Sequence, residues 1–118
     1  MNDEGKPMEI TAHDADAGVT ILRLAGRLNM VTAPQLRRSV ADAVTEGRSR
    51  LVIDLAQTES MDSSGLGVLI NSLKVARQAG GDLRIAAPNE QVQLVLQLTN
   101  MERLFHAHES AEVAYQND

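Results

Sequence analysis

Cysteine is absent from this 118-residue chain, and so is tryptophan; Phe105 and Tyr115 are the only aromatic residues. Without cysteine there are no disulfides and no thiolate metal sites, a composition that fits a reducing compartment. Without aromatics there is no platform for stacking nucleic-acid bases. The core has to be built from Leu, Ile, Val, Ala and Met. Positive charge is also scarce: 11 Lys and Arg against 16 Asp and Glu give a formal net charge of −5. Binding a phosphate backbone calls for the opposite balance. Long apolar runs are missing as well, since a membrane-crossing helix needs roughly 20 such residues in a row. The first seven residues, Met1-Asn2-Asp3-Glu4-Gly5-Lys6-Pro7, are polar and acidic and lack the apolar stretch of a signal peptide. The expectation is a soluble cytoplasmic protein that binds neither nucleic acid nor membrane.

Hydrophobic residues make up 43% of the chain, enough for one globular domain with a single core. Residues 1–7 read as a frayed tail and 8–118 as the domain. Residues 8–10 start a weak edge strand. Residues 19–25 alternate and read as a second strand in a hairpin with it. Residues 26–31 read as a loop. Thr32 caps a first helix carrying Leu36, Val40, Ala43 and Val44, which Gly47 stops. Residues 50–55 are apolar almost throughout, as in a parallel strand buried on both faces. A second helix runs from about 63 to 79, with a core stripe of Leu66, Leu69, Ile70, Leu73 and Ala76. Residues 83–87 form the next strand, and Asn89 caps a helix carrying Val92, Val95, Leu96 and Thr99. A short strand at 104–106 and a terminal helix at 110–116 complete the pattern. The order predicts one α/β domain with a mixed sheet of four to five strands and about four helices, its inner strands parallel.

Asp62-Ser63-Ser64-Gly65-Leu66-Gly67 joins the buried strand to the second helix. Two hydroxyls therefore sit at a helix start, at the carboxyl end of a central strand, where α/β sheets place their sites. The helix dipole and unpaired N–H groups there favour an added negative charge. Capping alone explains Asp and Ser at this place equally well. An esterase elbow is excluded because Met61 stands where Gly is required two residues before the serine. The dinucleotide fingerprint fails at Ile70, where a third Gly should follow Gly65 and Gly67. His106 and His108 alternate and would share a strand face; ordinary polar positions are the expectation for them, and no metal or cofactor site is expected.

These segments resemble the STAS-domain anti-sigma-factor antagonists. The resemblance rests on residues 52–55 followed by 61–69, on Gly26-Arg27-Leu28-Asn29 followed by Thr32-Ala33-Pro34-Gln35-Leu36, and on residues 80–85 and 98–102. It covers roughly residues 8–115. It implies a non-enzymatic STAS-like domain that, unphosphorylated, binds an anti-sigma factor with serine kinase activity and so frees a sigma factor. It implies phosphorylation on Ser63, the residue after the motif's Asp, and resetting by a serine/threonine phosphatase. The chain departs from the family pattern at Arg27 and Asn29, where the family carries Glu and Asp. With the family given, Ser63 is expected ahead of Ser64.

The partner surface is expected to comprise Asn29, Met30, Asp62, Ser64, Gly65, Val68, Asn71 and Val75. Asp62 either orients the Ser63 hydroxyl or caps the helix. Gly65 and Gly67 allow close approach, by a partner or by a neighbouring strand, with internal packing at least as strong a reading for Gly67. Val68 and Val75 lie on a second apolar face of the helix, beside Asn71, Ser72 and Lys74, read here as a docking surface. A monomer or weak dimer is expected. The alternatives are a STAS module that binds a small anionic ligand or nucleotide without being phosphorylated, and a subunit of a larger sensor or transporter complex.

Overall fold

The longest strand organises the sheet. β2 (Val19–Leu28) pairs antiparallel with β1 (Glu9–Asp14) along one side. On its other side it pairs in parallel with two strands in succession, first β3 (Arg50–Asp54), then β4 (Thr58–Met61). β5 (Asp82–Ala86) lies beyond β3, and β6 (Ala107–His108) beyond β5. The helices are α1 (Ala33–Thr45), α2 (Ser63–Gln78) and α3 (Glu90–Leu98). Single 3-10 turns stand at Asp16–Gly18, Met101–Arg103 and Ala111–Val113. The computed structural model describes residues 8–105 and 107–115, so the expected tail at 1–7 lies outside the described residues, as do His106 and 116–118.

The parallel centre and the β1–β2 hairpin agree with the sequence reading. The counts differ: the sheet has six strands, and three α-helices occur among the described residues. β4 was not expected. Residues 26–31 are expected as a loop, yet β2 continues through Leu28 and gives β4 its partner. The last strand lies at 107–108 rather than 104–106, and the expected terminal helix is a single turn.

Alternation along the strands divides the core in two. Leu22, Leu24, Leu51, Ile53, Leu83 and Ile85 face the helices, with Leu36, Leu69, Leu73, Val92 and Phe105. Val19, Ile21, Val52 and Ala86 face the other way and are covered by Ala111 and Ala114. β3 is therefore buried on both faces, as its unbroken apolar run predicts. Gly47 and Gly80 adopt φ of +86° and +87° just beyond the helices they end.

Candidate functional site

The β2–β4 ladder carries the serine turn. Gly26 pairs with Thr58, but Arg27 pairs with Ser60, so Glu59 is an extra residue in a bulge. The buried Thr58 hydroxyl donates to Leu24 O at 2.9 Å and anchors the start of β4. Leu28 pairs with Met61, and both side chains are buried in the core. Asp62 then donates its N–H to Leu28 O at 3.2 Å and turns the chain out of the sheet.

Asp62 has extended dihedrals, φ −103° and ψ −173°, and its Oδ1 accepts from Gly65 N at 2.9 Å. Its carbonyl accepts from Leu66 N at 2.9 Å, the first intrahelical bond. Asp62 is thus the N-cap of α2. The first-turn N–H groups of Ser63 and Ser64 have no carbonyl one turn behind them to bond, so the helix start presents donors and the positive end of its dipole. Ser63 is exposed, and Ser64 is half-buried.

Gly65 is set by internal packing. A Cβ here would overlap Leu28 O and come within 2.9 Å of both Leu28 Cγ and Met61 Cγ. Gly67 is the reverse, with open space around it. Close approach by a neighbouring strand, one of the two readings open for these glycines, holds at Gly65, because the first turn of α2 lies on the end of β2; internal packing does not hold at Gly67. Gly65 is buried and does not belong to a partner surface.

The same correction holds for the second face of α2. Val68 is 2% exposed, and Val75 is half-buried against the core. α2 packs on β5 and also on α1, so apolar residues on two sides of it are interior. Ser72, on the same side as Val68, is buried too. Only Asn71 and Lys74 of that face are exposed. The exposed apolar residues lie elsewhere: Met30 at 73% and Val31 at 52% in the loop before α1, and Leu94 and Leu98 on α3. The reading of this helix followed Val92, Val95, Leu96 and Thr99. The i, i+4 pair Leu94 and Leu98 was visible beside it and was missed.

The loop of Met30 is fixed from within. Asn29 Oδ1 accepts from Val31 N at 2.9 Å and from Thr32 N at 3.1 Å. Thr32 Oγ1 donates to Arg27 O at 2.6 Å and accepts from Asn29 N at 3.0 Å. Thr32 therefore occupies the N-cap position of α1 without a side-chain bond to that helix; its hydroxyl instead staples the loop to β2.

Two further residues support the turn and were not singled out for it. Gln91 Oε1 accepts from Met61 N at 3.0 Å, and Gln91 Nε2 donates to Met61 O at 3.4 Å. Asn89 Nδ2 donates to Thr58 O and to Glu59 O, each at 3.0 Å, while its Oδ1 caps α3 through Val92 N. The edge of β4 away from β2 is thus satisfied by side chains of α3. Sequence gave Asn89 its capping role, but no local pattern signals Gln91.

His13 pairs with Ile21, seven β2 residues below Leu28, which puts it about 23 Å down the strand from the turn. Among the described residues no group of three or more His, Cys, Asp or Glu could hold a metal ion. No helix among them is long and apolar enough to cross a membrane.

Residues 11–114 match the STAS domain family. A candidate anti-sigma factor antagonist of Thermotoga maritima is 34% identical over 97 residues, covering 81% of this chain and 86% of that protein. The anti-sigma-B factor antagonist of Staphylococcus epidermidis is 29% identical over 92 residues, covering 78% of this chain and 85% of that protein. The crystal structure of the Thermotoga maritima protein superposes with a TM-score of 0.84 at 31% identity, covering 92% of both chains. With the match spanning nearly every strand and helix described above, the chain belongs to the STAS domain family.

Proposed function

We propose that this protein is an anti-sigma factor antagonist that works as a phosphorylation-controlled partner switch. Its unphosphorylated form binds an anti-sigma factor and releases the sigma factor. The anti-sigma factor acts as a serine kinase on Ser63, and a serine/threonine phosphatase restores the free hydroxyl. The observation that carries this reading is an exposed Ser63 on the first turn of α2, beside a capping Asp62 and two orphan N–H groups. The names of its relatives in Thermotoga and Staphylococcus support the same role.

A kinase needs a hydroxyl it can reach on a backbone that tolerates the product. Phosphate adds about −1.5 to −2 charges. At a helix start that charge is stabilised by about 0.3–1 kcal/mol, so modification leaves the fold intact. Binding fails because a surface shaped for a neutral hydroxyl must then desolvate an unpaired anion. The partner footprint comprises Asn29, Met30, Asp62, Ser64 and Asn71 around Ser63, with Val31 added from its exposure.

Two experiments test this. Phosphosite mapping by mass spectrometry, after incubation with ATP and the cognate anti-sigma factor, is expected to find Ser63. Modification confined to Ser64, or to neither serine, would overturn the assignment. In titration calorimetry Ser63→Ala keeps the affinity and Ser63→Asp lowers it. Equal affinities for wild type and Ser63→Asp would rule out an electrostatic switch.

A further inference from the structure

Four large apolar side chains stand exposed among the described residues: Met30 and Val31 before α1, and Leu94 and Leu98 on α3. Single exposed apolar residues are ordinary on a protein surface. These come as two pairs, and both pairs sit on segments joined to the end of β4. On one side Leu28 pairs with Met61, and the chain runs from Leu28 through Asn29 to Met30. On the other side Gln91 bonds both backbone polar atoms of Met61, at 3.0 and 3.4 Å. Asp62 and Ser63 follow Met61 directly, with one apolar pair anchored on either side.

The turn of the helix sets which side of α3 the leucines occupy. At about 100° per residue, Leu98 falls about 20° and Leu94 about 60° from Gln91. The buried Val92 and Leu96 lie about 100° and about 140° the other way. Leu94 and Leu98 thus share the side of α3 from which Gln91 reaches Met61. They lie roughly 4.5 Å and roughly 10 Å along the axis from Gln91. A standard interface covers about 800 Å² on each partner, a patch roughly 30 Å across. One partner seated over Ser63 therefore reaches both pairs.

The charge along α3 states what that partner carries. From Ala87 to Glu102 there is no Lys or Arg, while the exposed carboxylates Glu90 and Glu102 bracket the stripe. Glu90, Leu94 and Leu98 form one i, i+4 row. An apolar stripe flanked by carboxylates complements an apolar patch flanked by Lys or Arg. A second copy of this chain packed stripe on stripe would set carboxylates beside carboxylates with no cation among them.

We propose that Leu94 and Leu98 form a second contact site for the anti-sigma factor, so that one partner holds the serine turn from both sides: Met30 and Val31 on the β2 side, the α3 leucines on the other. The partner surface that meets α3 is apolar and flanked by basic residues. This rests on the reading of the chain as an anti-sigma factor antagonist and deepens it by extending the contact beyond the serine turn. The α3 contact supplies affinity, and the serine turn supplies control.

The test is titration calorimetry of the full chain against the cognate anti-sigma factor. Gln matches Leu in helix propensity, so Leu94→Gln with Leu98→Gln changes the surface and leaves α3 intact. The double variant is expected to bind about 30-fold more weakly, with an unchanged melting temperature. Glu90→Gln is expected to slow association about twofold at low salt, with the difference vanishing at high salt; equal rates at low salt overturn the basic flank. Wild-type affinity in the double variant overturns the proposal and leaves the Ser63 switch standing. The 30-fold loss in a chain whose Ser63 is never phosphorylated does the reverse. Sedimentation velocity checks the other occupant. A wild-type chain that dimerises, beside a monomeric double variant of full affinity, places a second copy on the stripe and overturns the proposal. A methyl NMR titration needs no substitution: the Leu94 and Leu98 signals are expected to shift with that of Met30 as the anti-sigma factor is added. Leucine signals that stay in place while Met30 moves overturn the proposal.

Discussion

Gly65 and Gly67 occupy the same turn of α2, two residues apart, yet alanine is expected to act oppositely at each. At Gly65 an added methyl overlaps Leu28 O and presses on Leu28 Cγ and Met61 Cγ. The Leu28 carbonyl cannot step aside, because it accepts the Asp62 N–H that turns the chain into the helix. Leu28 and Met61 are themselves buried, at 0% and 3% exposure, so their side chains have nowhere to rotate. Overpacking of this kind costs up to about 3 kcal/mol. Alanine returns about 1 kcal/mol through helix propensity. The net loss is about 2 kcal/mol, or about 8 °C in melting temperature for a domain of this size. At Gly67 nothing lies within 4 Å of the added methyl. Only the propensity gain remains, about 0.5–1 kcal/mol and about 2–4 °C. Calorimetric melts of the two variants beside wild type make the comparison. A Gly65→Ala variant that melts at or above wild type, or a Gly67→Ala variant that loses more than a few degrees, would refute the account of how α2 seats on β2.

Further outcomes follow from the same geometry. Asp62→Ala removes the bond to Gly65 N and is expected to cost about 1 kcal/mol in urea unfolding, while Asp62→Asn retains most of it; equal losses would show that charge rather than capping is at work. Val68→Asn buries an unpartnered amide in place of an apolar contact and is expected to cost more than about 2 kcal/mol. Asn71→Ala, on the exposed side of the same helix, stays within about 0.5 kcal/mol. A neutral Val68→Asn would restore the docking face that the structure removes.

The legible parts of the fold were those written in local patterns. The helices announce themselves by apolar spacing and by Asp62, Asn89 and the terminating glycines. β3 announces itself by its apolar run. β4 did not, because Thr58-Glu59-Ser60-Met61 is polar, short and bulged. Its strand character comes from the β2 ladder and from the amides of Asn89 and Gln91, about 30 residues away in sequence. The serine turn was legible because capping chemistry is local. The exposure of its surroundings was not. A second apolar stripe on α2 looks the same in sequence whether a partner or the chain's own interior covers it, and here the interior does. Likewise a glycine near a helix start carries no mark of which one a strand end presses on.

The bonds around the turn constrain how any signal could leave it. Asp62 is tied to β2 through Leu28 O, Met61 to α3 through both polar atoms of Gln91, and the first turn of α2 to β2 through the space vacated by Gly65. The neighbouring loop is tied to β2 by Thr32 and to itself by Asn29. A displacement of Ser63 would have to break the end of the β2–β4 ladder, expose Leu28 and Met61, and strip β4 of its contacts with α3. Those are costs on the scale of the stability of the whole domain. The charge of a phosphate at a solvated helix start is a far smaller perturbation and is favourable in sign. The backbone is therefore expected to stay where it is when Ser63 is modified. What changes is the charge presented at the helix start. A rigid turn is the arrangement in which adding one group at one oxygen alters recognition without altering the fold.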